Sequence, residues 1–334
     1  MFNTRCILRP YSEIIGVRLR PFDASEIGDV RWWLCQISRE ADTLRALYQN
    51  WTDQMVENPD LTIANLRSMF DEWGQPALEP ENVSYKSDHI GGVEAIWALP
   101  VGADTSRVIV YTHGGGFAVG SADSHRKMAG HLAKVLGVTS VILHYRRAPE
   151  HPFPAQIEDA VAAYTALLDK GFKARNILTA GDSAGGNLAI ASVLKLRELG
   201  LPLPGAVIAY SPWLDMAMRG ETLETNAETD ALVGKPILEA MAGMFLGEGT
   251  DQLNPLANPL ENDFTGYPPL YINAGGAETL RSDAERLHEK AKAQGVNVTL
   301  SIVEGMQHVF PALSGRAPEA NEELGRIAAW YQAL

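Results

Sequence analysis

A chain of 334 residues with 46% hydrophobic and 21% charged residues has room for one large core and a subsidiary lobe. The formal net charge of −13 argues against nucleic acid or anionic lipid as partners, because phosphate binding needs a concentrated basic surface. No stretch approaches the roughly 18 uninterrupted apolar residues of a membrane-spanning helix, and the N-terminus lacks an apolar run of signal-peptide length, so a soluble cytoplasmic protein is expected. The two cysteines, Cys6 and Cys35, stand in no metal-ligand spacing and read as structural thiols.

From Val30 to Met55 the apolar residues Val30, Leu34, Ile37, Ala41, Leu44, Tyr48, Trp51 and Met55 alternate spacings of four and three, which puts them on one stripe of a helix. Such a stripe can seal a homodimer seam; more often it covers a core. Asn58-Pro59 ends it, and a second helix is expected from Thr62 to about Trp73. Beyond Pro80 short strands alternate with helices. Asn82–His89 and Val93–Leu99 read as two strands joined by Gly91-Gly92, followed by strand Val108–Tyr111 and a helix near Ala122–Leu136. Strand Val138–His144, helix Ala155–Leu168, strand Asn176–Ala180, helix Ala184–Leu199 and strand Ala206–Tyr210 come next. The stretch from Pro212 to Pro269 breaks the rhythm and reads as an insertion above the sheet edge, with a helix near Pro236–Leu246. Strands Leu270–Ala274 and Val296–Val303 flank helix Leu280–Gln294, and a last helix runs from about Pro318 to Gln332. Continuous apolar strands alternating with helices predict an α/β fold with a buried, mostly parallel, eight-stranded sheet.

Gly181-Asp182-Ser183-Ala184-Gly185-Gly186 follows an apolar strand and opens a helix, the context a nucleophile elbow requires. His113-Gly114-Gly115-Gly116-Phe117 follows another strand, and its glycines let backbone approach a substrate without side chains in the way. The N–H groups of Gly115, Gly116 and Ala184 are the candidate oxyanion hole. No Lys-Ser/Thr pair follows these glycines, which argues against a Walker-type phosphate loop. Of the eight histidines, His308 alone follows the last predicted strand, the address of the base in such a sheet. Two carboxylates stand near the preceding strand's end: Glu278 just after it, and Asp283 more than one turn into the next helix. The sheet edge favours Glu278, and the order Ser183, Glu278, His308 is that of the hydrolases.

Together these residues resemble the hormone-sensitive-lipase-like (GDXG) family of α/β-hydrolase esterases. Tyr145-Arg146-Arg147-Ala148-Pro149-Glu150-His151-Pro152-Phe153-Pro154-Ala155, Ser211-Pro212-Trp213-Leu214-Asp215 and Met306-Gln307-His308-Val309-Phe310 add to the likeness, which covers Val83 to the C-terminus. The resemblance implies hydrolysis of short- to medium-chain esters or lactones with no metal or organic cofactor. It also implies an N-terminal helical cap over the site, here residues 1–80, on a catalytic domain of residues 81–334 that carries the insertion at about 212–268. The family usually has aspartate where Glu278-Thr279-Leu280-Arg281-Ser282-Asp283 aligns, so a glutamate acid is a departure. A lactone-specific hydrolase or an acyltransferase with the same triad is the alternative. A ligand-binding receptor on a dead scaffold is disfavoured, because Ser183 and His308 are both present.

Overall fold

The computed structural model describes residues 37–334. Val30, Leu34, Cys6 and Cys35 lie outside the described residues. Helix α1, Asp42–Glu57, buries Leu44, Tyr48 and Trp51, the core-facing centre of the predicted stripe. It starts later than the stripe suggests. The Ser38 hydroxyl accepts from the Ala41 N–H at 3.2 Å, and Ser38 N–H and Oγ both donate to the Glu319 carboxylate at 2.7 Å. This turn precedes the helix, and Ile37 before it is 47% exposed. Helix α2, Ile63–Phe70, opens with a reciprocal Thr62–Asn65 capping box and tightens into a 3₁₀ turn, Asp71–Gly74. Trp51, Phe70 and Trp73 pack ring against ring, with centroids 4.7–5.8 Å apart.

Strands β1, Val83–Ile90, and β2, Val93–Pro100, form a hairpin whose two-residue turn puts Gly91 and Gly92 at positive φ. Then follow β3, Asp104–Thr112; α3, Ala122–Leu136; β4, Val138–Leu143; α4, Ala155–Asp169; and β5, Ile177–Asp182. Next come α5, Ala184–Glu198; β6, Ala206–Tyr210; and the short α6, Thr222–Thr225. The chain continues with α7, Lys235–Leu246; β7, Leu270–Gly275; α8, Arg281–Ala293; β8, Val298–Val303; and α9, Pro318–Gln332. The sheet order is β1-β2-β4-β3-β5-β6-β7-β8; β1 and β2 are antiparallel, and all pairs from β4 to β8 are parallel. Strands β4 to β7 are buried at every residue, which explains their mostly apolar sequences. From β3 the chain steps outward to β4 and then back across to β5. The loops after β3 and β5 therefore meet at the carboxyl edge, where ligands bind in open α/β sheets. No helix among the described residues is long and apolar enough to cross a membrane.

Candidate active site

Ser183 joins β5 to α5 with φ 55° and ψ −121°, a conformation that costs a side-chain-bearing residue energy and is held by its surroundings. Its N–H donates to the Tyr210 carbonyl at 2.8 Å, while its own carbonyl accepts from Trp213 N–H at 3.1 Å. Gly185 is required by close approach. A Cβ there would collide with the carbonyl oxygens of Thr112 and His113, so the start of α5 can press against the end of β3 only without one.

That contact sets the glycine loop beside the serine. Gly115 and Gly116 both take positive φ, and among the described residues neither N–H donates to a protein acceptor. Ala184, the first residue of α5, has no acceptor within its helix either. Phe117 follows at φ 62° and is pinned by a stacked contact with Phe245 of α7, centroids 3.7 Å apart. The loop thus presents free N–H donors from a backbone that cannot easily turn away.

His308 lies in the loop after β8 and is 1% exposed. Its Nδ1 is 3.6 Å from Glu278 Oε2, an ion-pair distance longer than a hydrogen bond. Glu278, fully buried after β7, accepts on that same oxygen from Ser211 Oγ at 2.6 Å and Gly275 N–H at 3.0 Å. Burial pulls the His308 pKa down. The Glu278 carboxylate, aided by the charges of Asp230 and Asp182, outweighs burial and holds it above its ordinary value. Ser183, His308, Gly115 and Gly116 line one apolar cavity of about 40 Å³, together with Trp73, Trp213 and residues of α7.

Asp283 needs correcting. It is the third residue of α8, within the first turn, not deeper in the helix. Its Oδ2 accepts the backbone N–H groups of Leu214 and Asp215 at 2.8 and 3.0 Å, and burial pushes its pKa up to about 6. It anchors the loop after β6 and faces Arg286 at 3.6 Å.

Several supporting residues escaped the sequence. Ser211, at φ 43°, bonds Glu278 and accepts from Val309 N–H at 2.9 Å, so one hydroxyl ties the acid to the base loop. Its place in Ser211-Pro212-Trp213-Leu214-Asp215 was the available signal. Tyr48 Oη donates to the His308 carbonyl at 2.9 Å, joining α1 to the same loop. Asp230 accepts from Thr279 N–H at 2.8 Å and from Val233 N–H at 2.8 Å. Gln307 Oε1 accepts from Ala231 N–H at 2.8 Å.

Residues 109–312 match the model of a family described as the alpha/beta hydrolase fold. The chain is 39% identical over 274 residues to an acetyl-hydrolase of Streptomyces hygroscopicus, covering 82% of this chain and 89% of that one. It is 34% identical over 232 residues to an esterase of Acinetobacter venetianus, covering 70% and 77% of the two chains. A solved esterase from the bacterial hormone-sensitive lipase family superposes with a TM-score of 0.83 at 37% identity, covering 89% of this chain and 98% of that one. Shared fold, site placement and this level of identity have one meaning: the chain belongs to the α/β-hydrolase family, among the bacterial hormone-sensitive-lipase-type esterases.

Proposed function

We propose that this chain is a serine carboxylesterase that hydrolyses short- to medium-chain esters through an acyl-enzyme on Ser183. The carrying observation is the convergence of Ser183, His308 and the free N–H groups of Gly115 and Gly116 on one apolar cavity. Glu278, placed against His308 Nδ1, is the third member. It favours the tautomer with the proton on Nδ1, which leaves Nε2 as the base. Ser183 Oγ attacks the ester carbonyl as His308 Nε2 takes its proton. The oxyanion meets the N–H groups of Gly115, Gly116 and Ala184, and the positive end of α5 adds to them. His308 then protonates the departing alkoxide, and the alcohol leaves. Water repeats the sequence on the acyl-enzyme and releases the acid.

Helix α2 with the 3₁₀ turn after it, and the segment from Leu232 through α7, act as the cap, because Phe70, Trp73, Leu232 and Leu238 line the cavity that holds Ser183, and α1 backs them through Trp51. The apolar walls suit an acyl chain better than a charged one. Turnover of p-nitrophenyl butyrate by the parent, set against Ser183→Ala, tests the assignment. A Ser183→Ala protein that is folded and keeps a tenth of the parent rate refutes it.

A further inference from the structure

A second and larger apolar space borders the catalytic cavity. It holds about 550 Å³ between α1, the Asn58–Leu61 turn, α2 and α7, and no charged residue lines it among the described residues. Met55, Pro59, Leu66, Ala240 and Met244 form its walls. Leu232, Ile237 and Met241 line both spaces, so these three side chains are the partition between them.

Met241 is the partition's adjustable member. A Cβ placed on Gly116 would stand 2.7 Å from Met241 Cγ and 2.8 Å from its Sδ, so the thioether lies directly over the oxyanion loop. The helix beneath it is fixed, since Phe245, one turn further along α7, stacks on Phe117. A methionine has three rotatable bonds and no branch, and it can change rotamer at small cost while its helix stays in place. The cavity at Ser183, about 40 Å³ and walled by Trp73 and Trp213, has room for no more than a short acyl group. Past Met241, among the described residues, the apolar lining continues into the larger space, which offers a longer chain a continuation.

We propose that Met241 is a specificity-determining gate: esters of medium-chain acids displace its side chain and run their acyl tails into the groove between α1–α2 and α7. The inference rests on the proposed esterase reading, with the acyl group held at Ser183. Chain length is then set by one side chain of α7, not by the depth of the catalytic cavity alone.

The test is kcat/KM for p-nitrophenyl butyrate and p-nitrophenyl decanoate, both below their micellar concentrations, with the full chain. Met241→Ala should raise the decanoate-to-butyrate ratio by about tenfold or more, the scale on which one or two methylenes in an apolar pocket discriminate. Met241→Phe should lower the ratio below the parent value. Ala240→Trp fills the groove from its solvent side without lining the catalytic cavity, and it should lower the ratio in the parent and reverse the gain of Met241→Ala. A Met241→Ala ratio within twofold of the parent overturns the gate, as does a gain that survives Ala240→Trp. Should Met241→Ala fail to fold, an unchanged ratio in Ala240→Trp alone overturns it. Residual turnover in Ser183→Ala would instead fault the underlying esterase reading.

Discussion

Replacing Glu278 by Gln separates the work of its charge from the work of its shape. The oxygen now called Oε2 accepts from Gly275 N–H and Ser211 Oγ and faces His308 Nδ1. An amide nitrogen cannot accept from Gly275, so the glutamine oxygen stays in that place. It still offers an acceptor toward Nδ1, and the useful tautomer survives. What disappears is the negative charge 3.6 Å from the imidazolium that forms during attack. At an effective dielectric of about 20, that separation corresponds to roughly 4 to 5 kcal/mol, or about a thousandfold in rate. A flipped amide would invert the tautomer and bring the loss to about 10⁴, the cost of the equivalent Asp-to-Asn change in a serine protease. The expected fall in kcat/KM is therefore 10³ to 10⁴. Glu278→Gln also removes the largest pull that raises the His308 pKa and leaves burial opposed only by the charges of Asp230 and Asp182, so the acid limb of the residual rate should move to lower pH. Steady-state hydrolysis of p-nitrophenyl butyrate from pH 5 to 9 reads both effects. A loss under tenfold, or an acid limb that stays in place, refutes the assignment of the acid. So does a folded Asp283→Asn protein that is the more crippled of the two.

Ser183→Ala should lower kcat by about 10⁶ with an unchanged melting temperature, since the triad acts as a unit; single-turnover kinetics and calorimetry check this. In the parent, activity needs neutral His308, whose pKa is raised, so the rate should fall as pH drops through a value above the ordinary 6.5 or so. An inflection well below 6 in the kcat/KM profile counts against the ion pair with Glu278. Asp283 binds its proton more readily in the folded state, so its contribution to stability falls as pH rises from the ordinary carboxylate range through about 6. Asp283→Asn keeps an acceptor for Leu214 and Asp215 and should match or exceed the parent's melting temperature at pH 7.5. A drop of ten degrees would refute this. Deleting residues up to Asn58 removes Leu44, Tyr48 and Trp51 from the core, and should expose apolar surface, promote aggregation and lower activity on larger esters. A soluble truncation with the parent's substrate profile would show that α1 takes no part in the pocket.

The sheet was legible in the sequence wherever burial is complete. Strands β4 to β7 are covered on both faces, and their sequences are mostly apolar, with Thr139, Ser140, Thr179, Asp182 and Asn273 as the polar exceptions. The beginning of β3 was not legible. Asp104 to Arg107 are exposed and polar, and only Asp104 pairs with β4 before the register shifts. The start of α1 misled for a different reason. Val30 and Leu34 lie outside the described residues, and between Ile37 and Ala41, where the stripe is still helical in spacing, Ser38 bonds Glu319 and the chain forms a turn instead. Periodicity cannot report a partner 281 residues away. The serine, the glycine loop and the histidine were readable because each stands at a strand's carboxyl end with small or unusual neighbours. The choice between Glu278 and Asp283 was less so, since both lie close to the same helix start and only the backbone path decides which one faces the imidazole.

In the proposed triad the acid is a glutamate, which has one more rotatable bond to restrain than an aspartate, and Glu278 is restrained on several sides. Its carboxylate is held by Gly275 and Ser211, and its backbone by Asn226, whose Nδ2 donates to the Gly276 and Glu278 carbonyls at 3.1 and 2.9 Å. Asn226 opens a segment that continues through Asp230 to Leu232 and Val233. Asp230 fastens that segment to Thr279, Gln307 fastens it to the histidine loop, and Thr52 Oγ1 of α1 donates to the Ala231 carbonyl at 2.7 Å. Leu232 and Val233 then line the cavity around Ser183. The acid loop, the base loop, the first helix and the pocket wall are therefore stitched through eight consecutive residues, Asn226 to Val233, that belong to no regular element. Buried networks of this kind couple their members, so a change in pocket shape at Leu232 reaches the orientation of Glu278 and His308 through Asp230 and Gln307. Substrate preference and the geometry around His308 are therefore linked at Leu232 and Val233, whereas Met241 stands on α7, outside the stitched segment.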